Sequence, residues 1–223
     1  MIQAIVFDVG ETLVDESREY GSWADWLGAP RHTFSAVFGA VIESGHDYWE
    51  AFQVFQPGFD LPRERQARVD AGKPESYGEG DLYDDVRPAL SKLQGMGVWV
   101  GVVGNQTVRS GRILRSLKLP TDFIATSDDW GVEKPSAEFF AKVVEVAPCR
   151  AEEIVYVGDR IDNDVAPAKK AGIRTAYIQR GPWGWILRDK QEVADLSDWK
   201  IRELTELPEI VAAENGSVSR QVS

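Results

Sequence analysis

Five short runs of branched and aromatic apolar residues constrain the fold of this chain more than any other feature. They lie at 2–9 (IQAIVFDV), 98–103 (VWVGVV), 123–126 (FIAT), 154–157 (IVYV) and 175–178 (TAYI). Runs this short and nearly continuous read as strands buried on both faces, the pattern of a parallel sheet. Helical patterns lie between them. Over 108–117, Ile113, Leu114 and Leu117 share one face; over 137–146, Phe139, Phe140, Val143 and Val144 do. Strands alternating with such helices are βαβ units. The expected class is α/β, with a Rossmann-like parallel sheet as its core.

The stretch 16–85 breaks that rhythm and shows no convincing strand. Phe34, Val37, Phe38, Val41 and Ile42 recur at helical spacing, with Thr33 as the expected N-cap. Trp23, Trp26 and Leu27 suggest a helix before it, and Tyr48, Trp49, Phe52 and Phe55 one after it. Twelve of the 23 aromatic residues fall in this stretch, enough for an interior of its own. The expected organisation is a core from 1–15 and 86–210, an inserted helical cap at 16–85, and a flexible C-terminal tail at 211–223. Arg63, Arg65 and Arg68 are expected on a solvated helix face, Arg31 is a candidate for gripping an anion, and His32 and His46 are expected on the cap surface.

The net charge is -11 and the isoelectric point about 4.7. That balance argues against coating nucleic acid or an anionic membrane, which need clustered Lys and Arg. One cysteine, Cys149, rules out an intrachain disulfide and points to a reducing cytoplasm. No apolar run approaches the ~20 residues of a spanning helix, and the run opening at Ile2 leaves no charged stretch for a signal peptide.

Ligands bind beyond the carboxyl ends of the strands in an open parallel sheet. The first strand leads into Asp8, then Gly10, Glu11 and Thr12. The second ends in Gly104-Asn105. The third leads through Ser127-Asp128-Asp129 to Lys134-Pro135. The fourth ends in Gly158-Asp159, with Asp164 five residues on. Taken singly, Asp8 reads as a strand-end turn cap and Lys134 as a loop lysine. Together, three carboxylates and a lysine converge on one rim. Like charges in one place need a cation, and oxygen ligands without His or Cys point to Mg²⁺. Lys134 offers a point charge for an anionic substrate group. Asp128 and Asp129 read as a polar loop, and Asp162 and Asn163 as caps of the next helix.

The segments FDVGETL, VVGN, EKPSAEFF and VGDRIDNDV, in this order, resemble the four motifs of the haloacid dehalogenase-like hydrolase superfamily. The resemblance covers about 2–181, and the inserted segment resembles that family's helical cap. It implies that Asp8 is a nucleophile forming an aspartyl-phosphate. It implies Mg²⁺ held by Asp8, the Gly10 backbone carbonyl, Asp159 and Asp164. It implies that Lys134 holds the nucleophile and neutralises the phosphoryl group, with substrate contacts from Gly104, Asn105 and Lys134.

Two positions depart from the pattern. Family phosphatases carry a second Asp two residues after the nucleophile, as acid and base; here Gly10 stands there. Loss of such a group costs roughly 10²–10⁴-fold. The second motif usually ends in Ser or Thr, and here Gly104 does. Glu11 is the nearest carboxylate, either a displaced acid-base group or a surface side chain. Dehalogenases of the superfamily lack the Asp159–Asp164 pair, and the phosphonate hydrolases need a cap lysine that Lys73, in a turn, matches poorly. The expectation is a Mg²⁺-dependent hydrolase of a small phosphorylated metabolite, slowed by Gly10 and Gly104. The alternative is a weakly active or non-catalytic protein that binds a phosphorylated ligand or partner. A monomer or homodimer is expected, and the GPWGW segment (181–185) reads as a loop exposing two tryptophans.

Overall fold

The four residues of β1 (Ala4–Phe7) have no water to face, and every one is buried. A strand enclosed this way must pair on both edges and pack on both faces. In the computed structural model, which describes residues 1–221, β1 pairs in parallel with β2 (Trp99–Gly104) and β4 (Ile154–Gly158). β3 (Phe123–Thr126) extends the sheet beyond β2, and β5 (Arg174–Ile178) and β6 (Trp199–Ile201) extend it beyond β4. The order is β3-β2-β1-β4-β5-β6, and all five pairings are parallel. The chain switches sides of the sheet between β1 and β4, so the crevice for a ligand opens at their carboxyl ends.

The expected helices 108–117 and 137–146 form as Val108–Ser116 and Ala137–Val146. Each has an N-cap that the sequence supplies: the Thr107 hydroxyl accepts from the Ser110 N–H and the Ser136 hydroxyl from the Phe139 N–H. Phe139, Phe140 and Val143 pack with Val6, Val103 and Tyr156 in one apolar cluster. β6 was not foreseen, because three residues with Lys200 in the middle make no apolar run.

The stretch 211–223, expected as a flexible tail, instead carries most of a helix, Leu207–Gln221; Val222 and Ser223 lie outside the described residues. Its Asn215 amide bonds both backbone groups of Ile2, accepting from the N–H at 2.7 Å and donating to the carbonyl at 3.0 Å. Leu207 and Val211 are buried. Two docked apolar residues and a two-point bond outweigh the local bias of Ser, Asn and Gly.

The chain divides into two compact units, Met1–Asp15 with Leu82–Ser223, and Glu16–Asp81. The division falls four residues before the expected 85/86 boundary. Asp85 belongs with the sheet because its carboxylate takes the Arg180 guanidinium and the Leu204 N–H.

The second unit holds helices Ser17–Trp26, Arg31–Glu43, Glu50–Phe55 and Leu61–Asp70. Trp23, Phe34, Phe38, Phe52 and Phe59 fill it, with ring centroids 4.8–6.0 Å apart in edge, tilted and stacked pairs. The second of these helices starts at Arg31 behind Pro30, so Thr33 lies inside it and is not its cap. Arg68, expected in solvent, is 3% exposed. It lies over the Trp23 ring at 4.1 Å and bonds Glu19, Ser22 and the Lys73 carbonyl. Arg63 and Arg65 pair with Glu64 and Glu75, and Arg31 pairs with Asp25. His32 and His46 are exposed, and His46 meets Glu50. No helix among the described residues is long and apolar enough to cross a membrane.

Candidate active site

β1 and β4 deliver Asp8 and Asp159 side by side where the chain switches sides of the sheet. The Asp8 N–H bonds the Val157 carbonyl at 2.9 Å, carrying the ladder one step past the strand. Asp164 follows on a single π-helical turn, Ile161–Val165. Oxygens of Asp8, Asp159 and Asp164 lie within 4.8 Å of one another, and all three residues are buried. The Lys134 ammonium stands 2.7 Å from Asp8 Oδ1 and 2.5 Å from Asp164 Oδ1.

Two glycines make this closeness possible. A Cβ at Gly158 would lie 2.4 Å from the Asp164 carboxyl carbon, and one at Gly104 would lie 2.4 Å from Asp8 Oδ1. The space that a Ser or Thr would need at 104 is thus filled by the Asp8 carboxylate. Gly104→Ser is therefore expected to lower turnover by displacing Asp8, not to raise it by restoring a hydroxyl. Steady-state kinetics check this, and a gain in kcat would contradict it.

Asn105, expected to touch substrate, is committed elsewhere. Its Oδ1 accepts the Lys134 N–H at 2.7 Å and its amide donates to the Lys134 carbonyl at 2.9 Å. It holds the Lys134 backbone. Asp164 has both oxygens engaged as well, one by Lys134 and the other by the Arg160 N–H at 3.0 Å. Its bonds place Lys134 more than they offer a free ligand atom.

Burial raises the Asp159 carboxyl well above the usual range, and the fields of Asp164, Asp8 and Glu11 raise it further. Burial pushes Asp164 up to about 6 against the pull of Lys134. Burial alone would lower Lys134, but Asp164 and Asp8 hold it well above its ordinary value. Asp159 Oδ2 is buried with no hydrogen-bond partner among the described residues. Three carboxylates and one ammonium leave a net charge of -2 when ionised. An orphaned carboxylate oxygen and an oxygen-only donor set fit a divalent cation of the Mg²⁺ type.

With carboxyl pKa values raised by folding, the metal-free native state binds more protons than the unfolded chain above pH ~4. It therefore loses stability as pH rises through about 6, where Asp164 titrates, and further as Asp159 ionises. A bound cation offsets that loss and needs the ligands deprotonated. The rise in melting temperature caused by Mg²⁺ is expected to be larger near about pH 8 than near about pH 5. Thermal unfolding at the two pH values measures it, and equal rises would contradict the reading.

Glu11 is neither a surface side chain nor open to solvent. It is 5% exposed, with φ at 53°, where a non-glycine residue is strained. Its Oε2 accepts the Tyr83 hydroxyl at 2.6 Å, and a Cβ at Gly181 would strike its Cγ at 2.4 Å. Burial and the Glu11 carboxylate raise the Tyr83 pKa, so the phenol stays protonated and donates. The Arg180 guanidinium lies 4.3 Å from the Tyr83 ring centre, pairs with Asp85 and donates to the Thr12 carbonyl at 3.0 Å. Sequence reasoning missed Tyr83, Asp85 and Arg180, because nothing local to them marks their meeting beside the first motif.

The GPWGW segment is a short helix, Gly181–Ile186, and not a loop. Trp183 is buried under the Arg160 guanidinium at 4.6 Å, while Trp185 is 55% exposed. Asp129 closes a capping box with Thr126 and pairs with Arg115, and Asp128 accepts the Val108 N–H. Asp162 pairs with Arg160 in place of capping a helix.

The chain is 28% identical to a glyceraldehyde 3-phosphate phosphatase of Methanopyrus kandleri, over 95% of this chain and 97% of that one. It is 26% identical to a ribulose-1,5-bisphosphate 5-phosphatase of Halopiger xanaduensis, over 92% of each. The fold is shared with the HAD-hydrolase YfnB of Bacillus subtilis, solved with magnesium, at a TM-score of 0.68 and 21% identity over 94% of this chain and 98% of that one. Residues 2–172 match the model of the haloacid dehalogenase-like hydrolases, and the chain belongs to that family.

Proposed function

We propose that this protein is a Mg²⁺-dependent phosphatase of a small phosphorylated metabolite, acting through an aspartyl-phosphate on Asp8. The observation that carries this reading is the Asp8 carboxylate 2.7 Å from the Lys134 ammonium and clustered within 4.8 Å with Asp159, whose Oδ2 has no partner among the described residues. Relatives that share most of the chain and are named phosphatases of sugar-type phosphates support the substrate class. The single cysteine and the acidic charge support work in the cytoplasm, without nucleic acid.

Asp8, the Gly10 carbonyl and Asp159 would hold the cation, which when bound neutralises charge on the phosphoryl oxygens. Asp8 attacks phosphorus, the P–O bond to the leaving group breaks, and water later cleaves the acyl phosphate, releasing inorganic phosphate and restoring Asp8. Lys134 stands at the attacking carboxylate and stabilises the same charge. Asp164 and Asn105 keep Lys134 in place, the first by its ammonium and the second by its backbone.

Protonation of the leaving group is the weak step. Gly10 has no side chain to give a proton, and Glu11, the nearest carboxylate, is taken by the Tyr83 hydroxyl. Alkoxides then leave poorly, while phenolates and carboxylates need little help. Aryl and acyl phosphates are expected to turn over far faster than alkyl esters, with log rate falling steeply as leaving-group pKa rises. A panel of phosphate monoesters, assayed with and without Mg²⁺, tests both parts. No Mg²⁺-dependent hydrolysis of any member would refute the phosphatase reading. A flat slope in an active enzyme would show that a proton donor, Glu11 first among the candidates, serves the leaving group.

A further inference from the structure

Gln179 follows β5 directly, and its N–H bonds the Ile201 carbonyl at 2.8 Å, which carries the β5–β6 ladder one step past the paired residues. That step brings Gln179 into line with Arg202 at the carboxyl ends of two neighbouring parallel strands. The next residue, Arg180, goes to the Thr12 carbonyl and Asp85. Gln179 instead lines a cavity of about 340 Å³ together with Arg188, Asp189, Lys200 and Arg202.

Gln179 is 6% exposed, and its carboxamide has no hydrogen-bond partner among the described residues. A buried amide left unpaired is costly, so a native chain keeps one where water or a ligand completes it. All five lining residues are polar, which leaves no wall for an apolar ligand. Three cations and one carboxylate give those walls a charge of +2, in a chain whose net charge is -11. Contacts within the protein do not use that charge up. Arg188 pairs with Asp189 at 3.3 Å and donates to the Trp185 carbonyl. Lys200 donates one of its three ammonium hydrogens to the Arg188 carbonyl. The Arg202 guanidinium has no partner among the described residues.

We propose that this cavity is a second binding site, for a small hydroxylated phosphate monoester of the sugar-phosphate type. The dianion of a monoester matches the charge of the walls. The planar fork of Arg202 suits two phosphoryl oxygens, and the Lys200 ammonium adds a point charge. The Gln179 amide needs an acceptor for its N–H groups and a donor for its carbonyl; a phosphoryl oxygen supplies the first and a hydroxyl on the carbon chain the second. None of the five residues belongs to the cluster around Asp8 and Lys134, so the proposal does not rest on the phosphatase reading. Among the described residues the acid trio fit for a metal is the one at Asp8, so an ester in this cavity is held and not hydrolysed.

Metal-free protein is the material for the test, because its catalytic cluster then carries a net charge of -2 and repels a dianion. Isothermal titration with glycerol 3-phosphate is expected to show one site per chain with a Kd of about 1 mM or below, and inorganic phosphate to bind several-fold more weakly. Arg202→Gln should weaken both by about tenfold, whereas Gln179→Met should weaken the ester alone and erase its advantage. Arg202 is exposed, so its variant keeps the fold, and its turnover of an aryl phosphate should match wild type. No binding by the wild type overturns the proposal, and so does binding that neither variant changes, which places the ester elsewhere. Equal affinity for inorganic phosphate or for citrate would mean that charge alone selects, and overturns the monoester assignment.

Discussion

Asp8→Asn is expected to reduce phosphate-ester hydrolysis to background, a loss on the order of 10⁴-fold or more, with the fold intact. The amide lacks the negative charge that attacks phosphorus, yet it has nearly the same shape. It also removes one of three crowded carboxylates, so the loss of the Lys134 pair is offset by relief from Asp159 and Asp164. The melting temperature without metal should therefore stay near wild type or rise, while the stabilisation by Mg²⁺ shrinks. Kinetics with an aryl phosphate and thermal unfolding on one preparation measure both. A variant with wild-type turnover would refute the assignment of the nucleophile.

Lys134→Met is expected to be the costliest substitution for stability. The ammonium is buried between Asp8 and Asp164, and its removal leaves both carboxylates without their counter-charge. Taking one partner from a buried charge network costs roughly 3–5 kcal/mol. The loss should be greatest at neutral pH without metal, when the carboxylates face one another ionised. It should shrink on acidification, from a higher pH than Asp164 titrates in wild type because Lys134 no longer holds that carboxyl down, and on adding Mg²⁺. Urea unfolding across those conditions gives the numbers, and activity should be lost in all of them. Unaltered stability at neutral pH without metal would mean that Lys134 does not neutralise this cluster.

The sheet is legible in the sequence because strands covered on both faces have nowhere to place a polar residue, so IVF, VWVGVV and IVYV stand out. β6 is not, since an edge strand of three residues tolerates Lys200. Asp8, Lys134, Asp159 and Asp164 are legible for a different reason: each follows a strand end, and a parallel sheet brings its strand ends to one rim. Their individual tasks are less so. Asn105 and Lys134 lie 29 positions apart, and only coordinates reveal that the amide grips the lysine backbone. Glu11 looks like a surface residue until Tyr83, 72 positions away, and Gly181 enclose it. Arg68 and the 211–221 stretch were misjudged alike, because a charged or small polar residue reads as solvated until a partner such as Glu19 or Ile2 is known. Local pattern carries burial; it does not carry pairings between distant segments.

A phosphoryl group carried on Asp8 can be trapped chemically. Wild-type protein is mixed with a fast aryl phosphate and Mg²⁺, quenched within the first turnover, treated with borohydride and mapped by mass spectrometry. An aspartyl-phosphate is reduced to homoserine, whereas a free carboxylate is untouched. Homoserine is expected at position 8, dependent on substrate and Mg²⁺ and absent from Asp8→Asn. Rapid hydrolysis with an unmodified Asp8, under conditions that trap the burst, would contradict it.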